Sequence, residues 1–326
     1  MSRGGTTPGA APRSADLLVA LRDYGIYFAL LGVVAAFCLI SPEFRTGANI
    51  MLILLQVSVV GILAIGVLFT ILTAGIDLSV GSLLAVCGMF SAIFAQQGTA
   101  HHSLALAFTL PLLLGLLGGA INGGVITAGS VNPLIVTLGT LTAYRGFVVW
   151  YRVNPVYNLA PAYRAIGQST VLGIPAPVLI FIGAAAIAGV VLNLTRFGRY
   201  VYAVGGNEEA ARAAGVNVGI VKLGVYMISG FCAGLGGLVF TSRLGAAQAI
   251  SGQGFELQAI AAVVVGGASL FGGRGTVSKT LVGALIIGVL FNGLIMLNVG
   301  SPAQQMIIGA IIIAAVWFDG MLRKKG

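Results

Sequence analysis

Charged side chains are scarce in this chain, and acidic ones are the scarcest. Only 8% of the 326 residues are charged, with eight acidic against 17 basic side chains, whereas 58% are hydrophobic. The mean hydropathy is +1.04. Soluble domains carry about 25% charged residues. The composition therefore excludes a soluble globular domain and indicates an integral membrane protein.

Residues that build reactive or metal sites are equally rare. Cys38, Cys87 and Cys232 each lie inside an apolar run, where a lone thiol behaves as a small hydrophobe, so we expect neither disulfides nor thiol ligands. The only two histidines, His101 and His102, are adjacent and have no third ligand near them. We therefore expect no metal site. No Ser/His/Asp set is evident either, which argues against an enzyme.

The N-terminal residues do not have the pattern of a removable signal peptide, and we expect none. The start "MSRGGTTPGAAPRSADLLVALRDYG" has no A-x-A cleavage site, and its Pro, Gly and Ser content predicts a flexible tail over residues 1–22. The net charge of +9 is spread over short loops and termini and forms no aromatic-studded stripe. This distribution argues against a nucleic-acid partner and fits the positive-inside rule of membrane proteins.

Long apolar runs fill most of the chain. Windows of about 20 apolar residues predict ten membrane spans: 24–40, 49–72, 78–96, 103–128, 133–150, 176–194, 222–241, 254–271, 277–297 and 302–318. The runs are too long for the strands of a membrane β-barrel. We therefore predict an all-α, polytopic bundle of about ten transmembrane helices. It forms one domain over residues 23–320, with a loop at 195–221 and a basic C-terminus at 321–326.

The basic residues predict the orientation of this bundle. With the N-terminus in the cytoplasm, 12 of the 17 basic residues lie on the cytoplasmic side. The other five, outside or near the outer interface, are Arg45, Arg145, Arg152, Arg164 and Arg243. Since Lys and Arg accumulate in cytoplasmic loops, both termini are predicted to be cytoplasmic.

Spans two to five and seven to ten share an order of short motifs. "VLFT" (67–70), "GIDL" (75–78), "INGGVI" (121–126) and "VNP" (131–133) are matched by "LVFT" (238–241), "GFEL" (254–257), "FNGLI" (291–295) and "GSP" (300–302). The first set begins outside and the second inside. The pattern therefore predicts an inverted repeat, which is a common plan among transporters.

Two isolated carboxylates and two asparagines are candidate pathway or helix-break residues. Asp77 is the only charged residue between Arg45 and Arg145. A carboxylate at this depth costs about 2.5–3.5 kcal/mol or more, so it either caps a helix or faces a cavity. One interpretation is that Asp77 or Ser79 caps the third span, and the other is that the break lines a solute path. Glu256 allows the same two interpretations. The two asparagines are Asn122 and Asn292, one in each of the two motif sets described above.

The abundant glycines indicate helix packing rather than phosphate binding. Patterns such as "GLLGGAINGG" (115–124) and "GFCAGLGG" (230–237) let helices approach closely in lipid. "GGASLFGGRGTVSKT" (266–280) superficially resembles a phosphate loop, but Ser278 stands where the Walker pattern requires glycine before the lysine. We expect no ATP hydrolysis by such a loop in this chain.

The segment "NEEAARAAG" predicts a short helix outside the membrane. Asn207 is the expected N-cap, Glu208 and Arg212 form an i,i+4 pair, and Gly215 marks the stop. Alanines at 210, 211, 213 and 214 would give a small, flat surface. Such a helix suits docking into a partner's groove, although a surface linker would have a similar composition.

Three long motifs carry a family resemblance. "GIDLSVGSLLA", "TRFGRYVYAVGGNEEAARAAGVNV" and "GFELQAIAAVVVGGASLFGGRGT" closely resemble the permease subunits of bacterial ABC importers for ribose and related monosaccharides. The resemblance runs in order from about residue 40 to 320. It implies a homodimeric or heterodimeric permease of the bacterial inner membrane, with a type II importer-like fold. The implied partners are a second permease copy, a cytoplasmic ATPase that binds ATP and Mg, and a periplasmic sugar-binding protein.

The resemblance also implies roles for single residues. The "GGNEEAAR" segment looks like the coupling helix that docks on the ATPase, which points to Gly206, Asn207, Glu208, Ala211, Arg212 and Gly215. Two alternatives stay open: an ion-coupled secondary transporter in which Asp77 and Glu256 carry protons or Na⁺, and a membrane scaffold without transport. The sequence does not identify the sugar.

Overall fold

Residues 13–324 are described by a computed structural model, and helices form almost all of their regular structure. The α-helices in this part of the chain are α1 (Arg13–Ile40), α2 (Gly47–Leu72), α3 (Val80–Ala95), α4 (Leu104–Ala128), α5 (Pro133–Tyr151), α6 (Pro161–Gln168), α7 (Ala176–Leu194), α8 (Arg196–Gly206), α9 (Glu208–Ala213), α10 (Val218–Leu244), α11 (Phe255–Val265), α12 (Val277–Met296) and α13 (Ser301–Lys324). A 3₁₀ turn, η1 (Pro42–Arg45), precedes α2. An antiparallel ribbon of β1 (Thr170–Val171) and β2 (Ile174–Pro175) precedes α7. The predicted all-α class is confirmed.

Within residues 13–324, six helices are long and apolar enough to cross a membrane: α2, α4, α5, α7, α10 and α12. Four apolar helical stretches are shorter: Tyr24–Ile40, Val80–Ala95, Phe255–Val265 and Ser301–Trp317. At 1.5 Å per residue, α3 covers about 24 Å and α11 about 16 Å, less than the ~30 Å of a bilayer core. Neither helix is therefore long enough by itself to span the bilayer core, so a full passage at either place would include the non-helical segment next to it.

The predicted spans agree with the helices best in the middle of the chain. Span 176–194 coincides with α7. The end predicted for span 254–271 is wrong, because α11 ends at Val265 and Gly267, at a φ of 82°, turns the chain away. At the N-terminus, α1 begins at Arg13, inside the predicted tail, and residues 1–12 lie outside the described part. At the other end α13 continues to Lys324, and residues 325–326 lie outside it.

Helix α2 is the centre of the bundle. Every residue from Val57 to Leu72 is buried, and α2 packs against α7, α10, α11 and α12. The Ser58 and Thr70 hydroxyls donate to carbonyl oxygens within α2 at 2.7 and 2.9 Å, so these hydroxyls need no partner elsewhere. The surrounding helices take their positions from contact with this apolar rod.

Helices α4 and α10 approach closely because glycines line their contact. Gly115 and Gly119 of α4 lie against the backbone of α10 near Gly230 and Tyr226. A Cβ at Gly119 would overlap the Tyr226 carbonyl oxygen. Association of helices in lipid depends on such close packing, since lipid supplies no hydrophobic drive. The predicted packing role of the glycine-rich patterns is confirmed at this contact.

Replacement of Gly119 by valine is expected to destabilise the protein. The neighbouring atoms belong to backbone and cannot rotate away, so we expect an overpacking penalty of about 1–3 kcal/mol. Gly124→Val is the matched control on the same helix, because no neighbouring atom lies within 4 Å of a Cβ there. Thermal unfolding of the detergent-purified variants compares them. Equal melting temperatures for both variants would contradict the close contact.

The bundle has two distinct ends. At the first, which we call the α8 end, α8 meets the last residue of α2 and the loop 266–276. At the second, the α6 end, β-bridges join Gln96 to Leu159 and Val156 to Ala247. Helix α6 is fixed there to the end of α10, where the Gly167 N–H donates to Ser242 Oγ at 2.7 Å.

Candidate functional site

The charged segment between α7 and α10 folds as two short helices, α8 and α9. Asn207 stands between them, and its Oδ1 accepts the Ala210 N–H at 2.9 Å, so it caps α9 as predicted. Gly206 ends α8, and Gly215 follows α9 with a φ of 84°, a backbone conformation that favours glycine. The segment is therefore a capped, well-defined element.

Glu208 joins α9 to α10. Its Oε1 lies 3.0 Å from Arg212 Nη2, which is the predicted pair, and its Oε2 lies 2.7 Å from Lys222 Nζ. The hydrogen bond from Lys222 is the main cause that holds the pKa of Glu208 below its ordinary value. The stabilisation from these pairs is therefore complete above the ordinary carboxyl pKa, and it is lost as the pH falls through the lowered one.

Helix α8 connects α9 to the core of the bundle. A Cβ at Gly205 would overlap the Leu72 carbonyl oxygen, which also accepts the Gly273 N–H at 2.9 Å. The Tyr202 hydroxyl donates to the Gly275 carbonyl oxygen at 2.9 Å. Helix α8 thus contacts both the end of α2 and the loop 266–276 that follows α11. A displacement of α8 would act on both.

The two faces of α9 differ. Ala211 is 5% exposed and turned toward the body of its own chain, whereas Ala210, Ala213 and Ala214 are exposed. The prediction of one outer surface made by all four alanines is therefore wrong for Ala211. At 3.6 residues per turn, residues 211 and 213 point to opposite sides of a helix, so only one of them can face outward.

A polar groove separates α9 from the turn between α4 and α5. Ser130 and Asn132 line it from the turn, and Glu208, Arg212 and Lys222 line it from the other side. Asn132 also accepts the Leu134 N–H at 2.9 Å and so caps α5. The exposed face of α9 therefore lies beside a second ordered segment at the same end of the bundle.

A buried polar network surrounds the break between α2 and α3. The Asp77 side chain is 0% exposed. Its Oδ1 accepts the Ser79 N–H at 3.0 Å and the Ser79 hydroxyl at 2.7 Å, and its Oδ2 accepts the Ser229 hydroxyl of α10 at 2.7 Å. Asn122 Nδ2 of α4 donates to Ser79 Oγ at 2.8 Å. The break is thus bound to α4 and α10.

The capping prediction holds in part. Ser79 stands at the N-cap position of α3, but its side chain makes no capping bond, because it bonds to Asp77 and Asn122. Asp77 instead accepts a backbone N–H immediately before the helix, near the positive end of α3. Each of its oxygens is hydrogen-bonded, which is what allows a carboxylate to be buried.

The first turns of α3 and α11 lie against each other inside the bundle. A Cβ at Gly81 would overlap the Glu256 carboxylate and the Gly252 carbonyl oxygen. Arg145 of α5 donates to the carbonyl oxygens of Ser251 at 2.9 Å and Gly81 at 3.4 Å. Two partial helices therefore meet at their N-termini, with one carboxylate and one guanidinium beside the contact.

The two asparagines lie inside helices, not at breaks. Asn122 belongs to α4 and Asn292 to α12. Asn292 Nδ2 donates to Asn49 Oδ1 at 2.8 Å, and Asn49 Nδ2 donates to the Phe44 carbonyl oxygen at 3.1 Å. This chain of bonds attaches α12 to the start of α2, away from Asp77. Of the two roles predicted for these asparagines, the position inside helices rules out a helix break, and a role in the pathway stays a prediction.

Three residues of these sites are missing from the sequence-based prediction. Arg145 is predicted outside or near the outer interface, but it binds carbonyl groups inside the bundle. Its position within an apolar run is the same signal that singled out Asp77. Lys222 and Ser229 become recognisable only when α10 is placed beside α9 and Asp77, because a helix-end lysine and a helix serine are both common.

Comparison with known proteins places this arrangement in a family. The matching family model is described as "Branched-chain amino acid transport system / permease component" and covers residues 49–316. The matched region contains the α8–α9 segment, the Asp77 network and both partial helices. No solved structure matches the chain.

Several curated proteins are similar over nearly the whole chain. The ribose import permease protein RbsC of Haemophilus influenzae is 43% identical over 304 residues, covering 92% of this chain and 93% of its own. The D-allose transport system permease protein AlsC of Escherichia coli is 41% identical over 303 residues, covering 92% of each chain. The L-arabinose transport system permease protein AraH of Escherichia coli is 35% identical over 328 residues, covering 99% of this chain and 98% of its own.

Proposed function

The chain belongs to the family of branched-chain amino acid transport system permease components, and on that premise we propose that it is the permease subunit of an ATP-binding cassette importer for ribose or a related monosaccharide. The similar permeases named for ribose, allose and arabinose support a monosaccharide. The structural observation that carries the proposal is α9: a capped helix with an exposed small-residue face, connected through α8 to the core. A subunit driven by a separate ATPase requires such an element.

The proposed architecture has ten membrane passages and both termini in the cytoplasm. The six long helices supply six passages, and the four shorter apolar stretches supply the rest. The α8 end is then cytoplasmic, in agreement with its arginines and lysines. An inverted repeat of α2–α5 and α10–α13 is supported by one shared feature: α3 and α11 are both short and both follow non-helical segments.

The proposed assembly contains three further kinds of subunit. A cytoplasmic ATPase binds ATP and Mg, a periplasmic protein delivers the sugar, and a second permease copy or a paralogue completes the membrane part. The chain itself is proposed to hold no cofactor, to sit in the bacterial inner membrane among lipids, and to bind no nucleic acid.

Gly206, Asn207, Glu208, Arg212 and Gly215 are proposed to form the ATPase-coupling element, with Ala210 and Ala213 on its contact face. Ala211 is proposed to support it from within. Closure of the ATPase would move α9 and α8, and the contact of Gly205 with Leu72 would pass that movement to the break at residues 73–79. Asp77, Ser79 and Asn122 would keep α3 attached to α4 and α10 during the movement.

Thiol labelling is expected to confirm the orientation. A cysteine in place of Arg199 on α8 should react only with reagent supplied from the cytoplasm, because the α8 end is proposed to face inward. A cysteine in place of the exposed Arg164 on α6 should react only from outside. Membrane-impermeant maleimide added to intact cells and to inverted vesicles distinguishes the two. Reaction of position 164 from the cytoplasm would overturn the proposed topology.

Uptake by cells that lack their own ribose and allose permeases tests the function. Expression of the chain with its ATPase and binding protein is expected to restore uptake of labelled ribose or a related sugar, and omission of the ATPase should abolish it. Competition by unlabelled ribose, allose and arabinose then ranks the substrates. Restored uptake without the ATPase, driven by a proton or Na⁺ gradient, would refute the proposal in favour of an ion-coupled transporter.

A further inference from the structure

A cavity occupies the space that α11 leaves vacant. Because α11 has only 11 residues, it fills about half of the ~30 Å hydrocarbon thickness. Toward the α6 end, α2, α10 and α12 continue past its start and line an open-sided cavity of about 190 Å³. A single water molecule needs a cavity of roughly 15 Å³, so a cavity of this volume has room for a small organic molecule.

The cavity wall combines polar side chains with aromatic rings. Gln56 of α2, Arg243 of α10 and Gln258 of α11 supply the polar groups, and the rings belong to Phe240, Phe255 and Phe291. Phe240 and Phe255 meet edge to face with their ring centroids 5.4 Å apart. Small-molecule sites are typically built in this way, from an apolar wall and a few polar groups that fix orientation.

The polar groups of this wall retain most of their hydrogen-bonding capacity. Among the described residues, the amide groups of Gln56 and Gln258 make no hydrogen bond, although each has one acceptor oxygen and two N–H donors. Arg243 uses one donor, from Nη1 to the Leu55 carbonyl oxygen at 3.0 Å. Three polar side chains of this wall therefore have donors and acceptors to offer to a ligand.

We infer that this cavity is a binding site for the transported sugar within the permease itself. The inference rests on the proposed function. Sugar hydroxyls donate and accept hydrogen bonds, as uncharged amides do, and the sugar's C–H faces pack on aromatic rings. No Asp or Glu of the described chain lines the cavity, so the ammonium group of a free amino acid would find no counter-charge there. A polyhydroxylated ligand matches the two amides and the aromatic rings of the wall, and its hydroxyls can also accept from Arg243.

Loss of the amides should slow sugar movement without disturbing the ATPase. The double variant Gln56→Leu/Gln258→Leu is compared with Gln97→Leu, a matched change at an exposed loop position. In proteoliposomes with ATPase and sugar-loaded binding protein, each lost hydrogen bond is expected to reduce uptake about 2- to 10-fold. ATP hydrolysis stimulated by the binding protein should stay at the wild-type level. Unchanged uptake in the double variant would overturn the inference.

Protection from labelling gives a second, independent measurement. Gln258→Cys is expected to react with an impermeant thiol reagent from the outer side, and ribose should slow the reaction. The variant is made in a Cys38→Ser background, because Cys38 is partly exposed whereas Cys87 and Cys232 are buried, and the Cys38→Ser protein alone gives the control rate. Reaction at an unchanged rate with and without sugar would contradict the site even if the leucine variant failed to fold. If wild-type protein transports no sugar at all, the proposed function itself fails, which is a distinct result.

Discussion

A permease with Ala213 replaced by tryptophan is expected to insert and fold normally but to lose sugar uptake. Ala213 lies on the exposed face of α9, outside every long apolar helix, so a larger side chain meets nothing in its own chain. It would instead occupy the space that the ATPase has to enter. The ATPase should then either fail to co-purify with the permease or hydrolyse ATP without moving sugar.

Two comparison variants show which face of α9 matters. Ala213→Ser changes little in volume, so uptake should stay close to wild type. Ala211→Trp should reduce the amount of folded permease instead, because Ala211 is buried against its own chain. If Ala213→Trp transports at the wild-type rate with the ATPase still bound, then α9 is only a linker and the coupling assignment is wrong.

Replacement of Asp77 by leucine is expected to abolish the folded protein. The carboxylate accepts hydrogen bonds from the Ser79 N–H, the Ser79 hydroxyl and the Ser229 hydroxyl, and all three residues are fully buried. Each donor left without a partner costs about 1–3 kcal/mol, and folded proteins have only about 5–15 kcal/mol in total. The measurement is the amount of membrane-inserted protein that elutes as a monodisperse peak in size-exclusion chromatography.

Replacement of Asp77 by asparagine separates a structural carboxylate from an ion-carrying one. The amide oxygen of the new side chain can still accept the Ser79 N–H, and the Ser229 hydroxyl can rotate to accept from the amide nitrogen. We therefore expect folding and most ATP-driven uptake to persist. Normal insertion and ATPase assembly with complete loss of uptake would show that the negative charge itself is needed, contrary to the structural role.

Hydropathy predicts a helix well where the apolar run and the helix end at the same residue. Span 176–194 coincides with α7 because Pro175 and Thr195 flank it in extended conformations. The same method extends α11 to residue 271, because Ala268, Leu270 and Phe271 are apolar although the glycines before them end the helix. This segment is apolar without being helical, and a window average does not distinguish an apolar loop from an apolar helix.

The candidate sites are only partly predictable for a different reason. Asn207, Glu208 and Gly215 follow local rules of capping and ion pairing, so their geometry can be read from nine consecutive residues. The Asp77 network depends on contacts across 43 and 152 positions of the chain, to Asn122 and Ser229. Such contacts are set by the glycine-mediated approach of α4 to α10, and the orientation of Ala211 is likewise set by tertiary packing.

Reconstitution with defined components tests the central claim most directly. Purified permease and ATPase are placed in proteoliposomes without any ion gradient, with sugar-loaded binding protein on one side and ATP on the other. We predict uptake of labelled ribose or a related monosaccharide, and this uptake should require ATP, the ATPase and the binding protein together. The Ala213→Trp variant should show no uptake under the same conditions. Sugar accumulation by the permease alone in response to a proton or Na⁺ gradient would contradict the account.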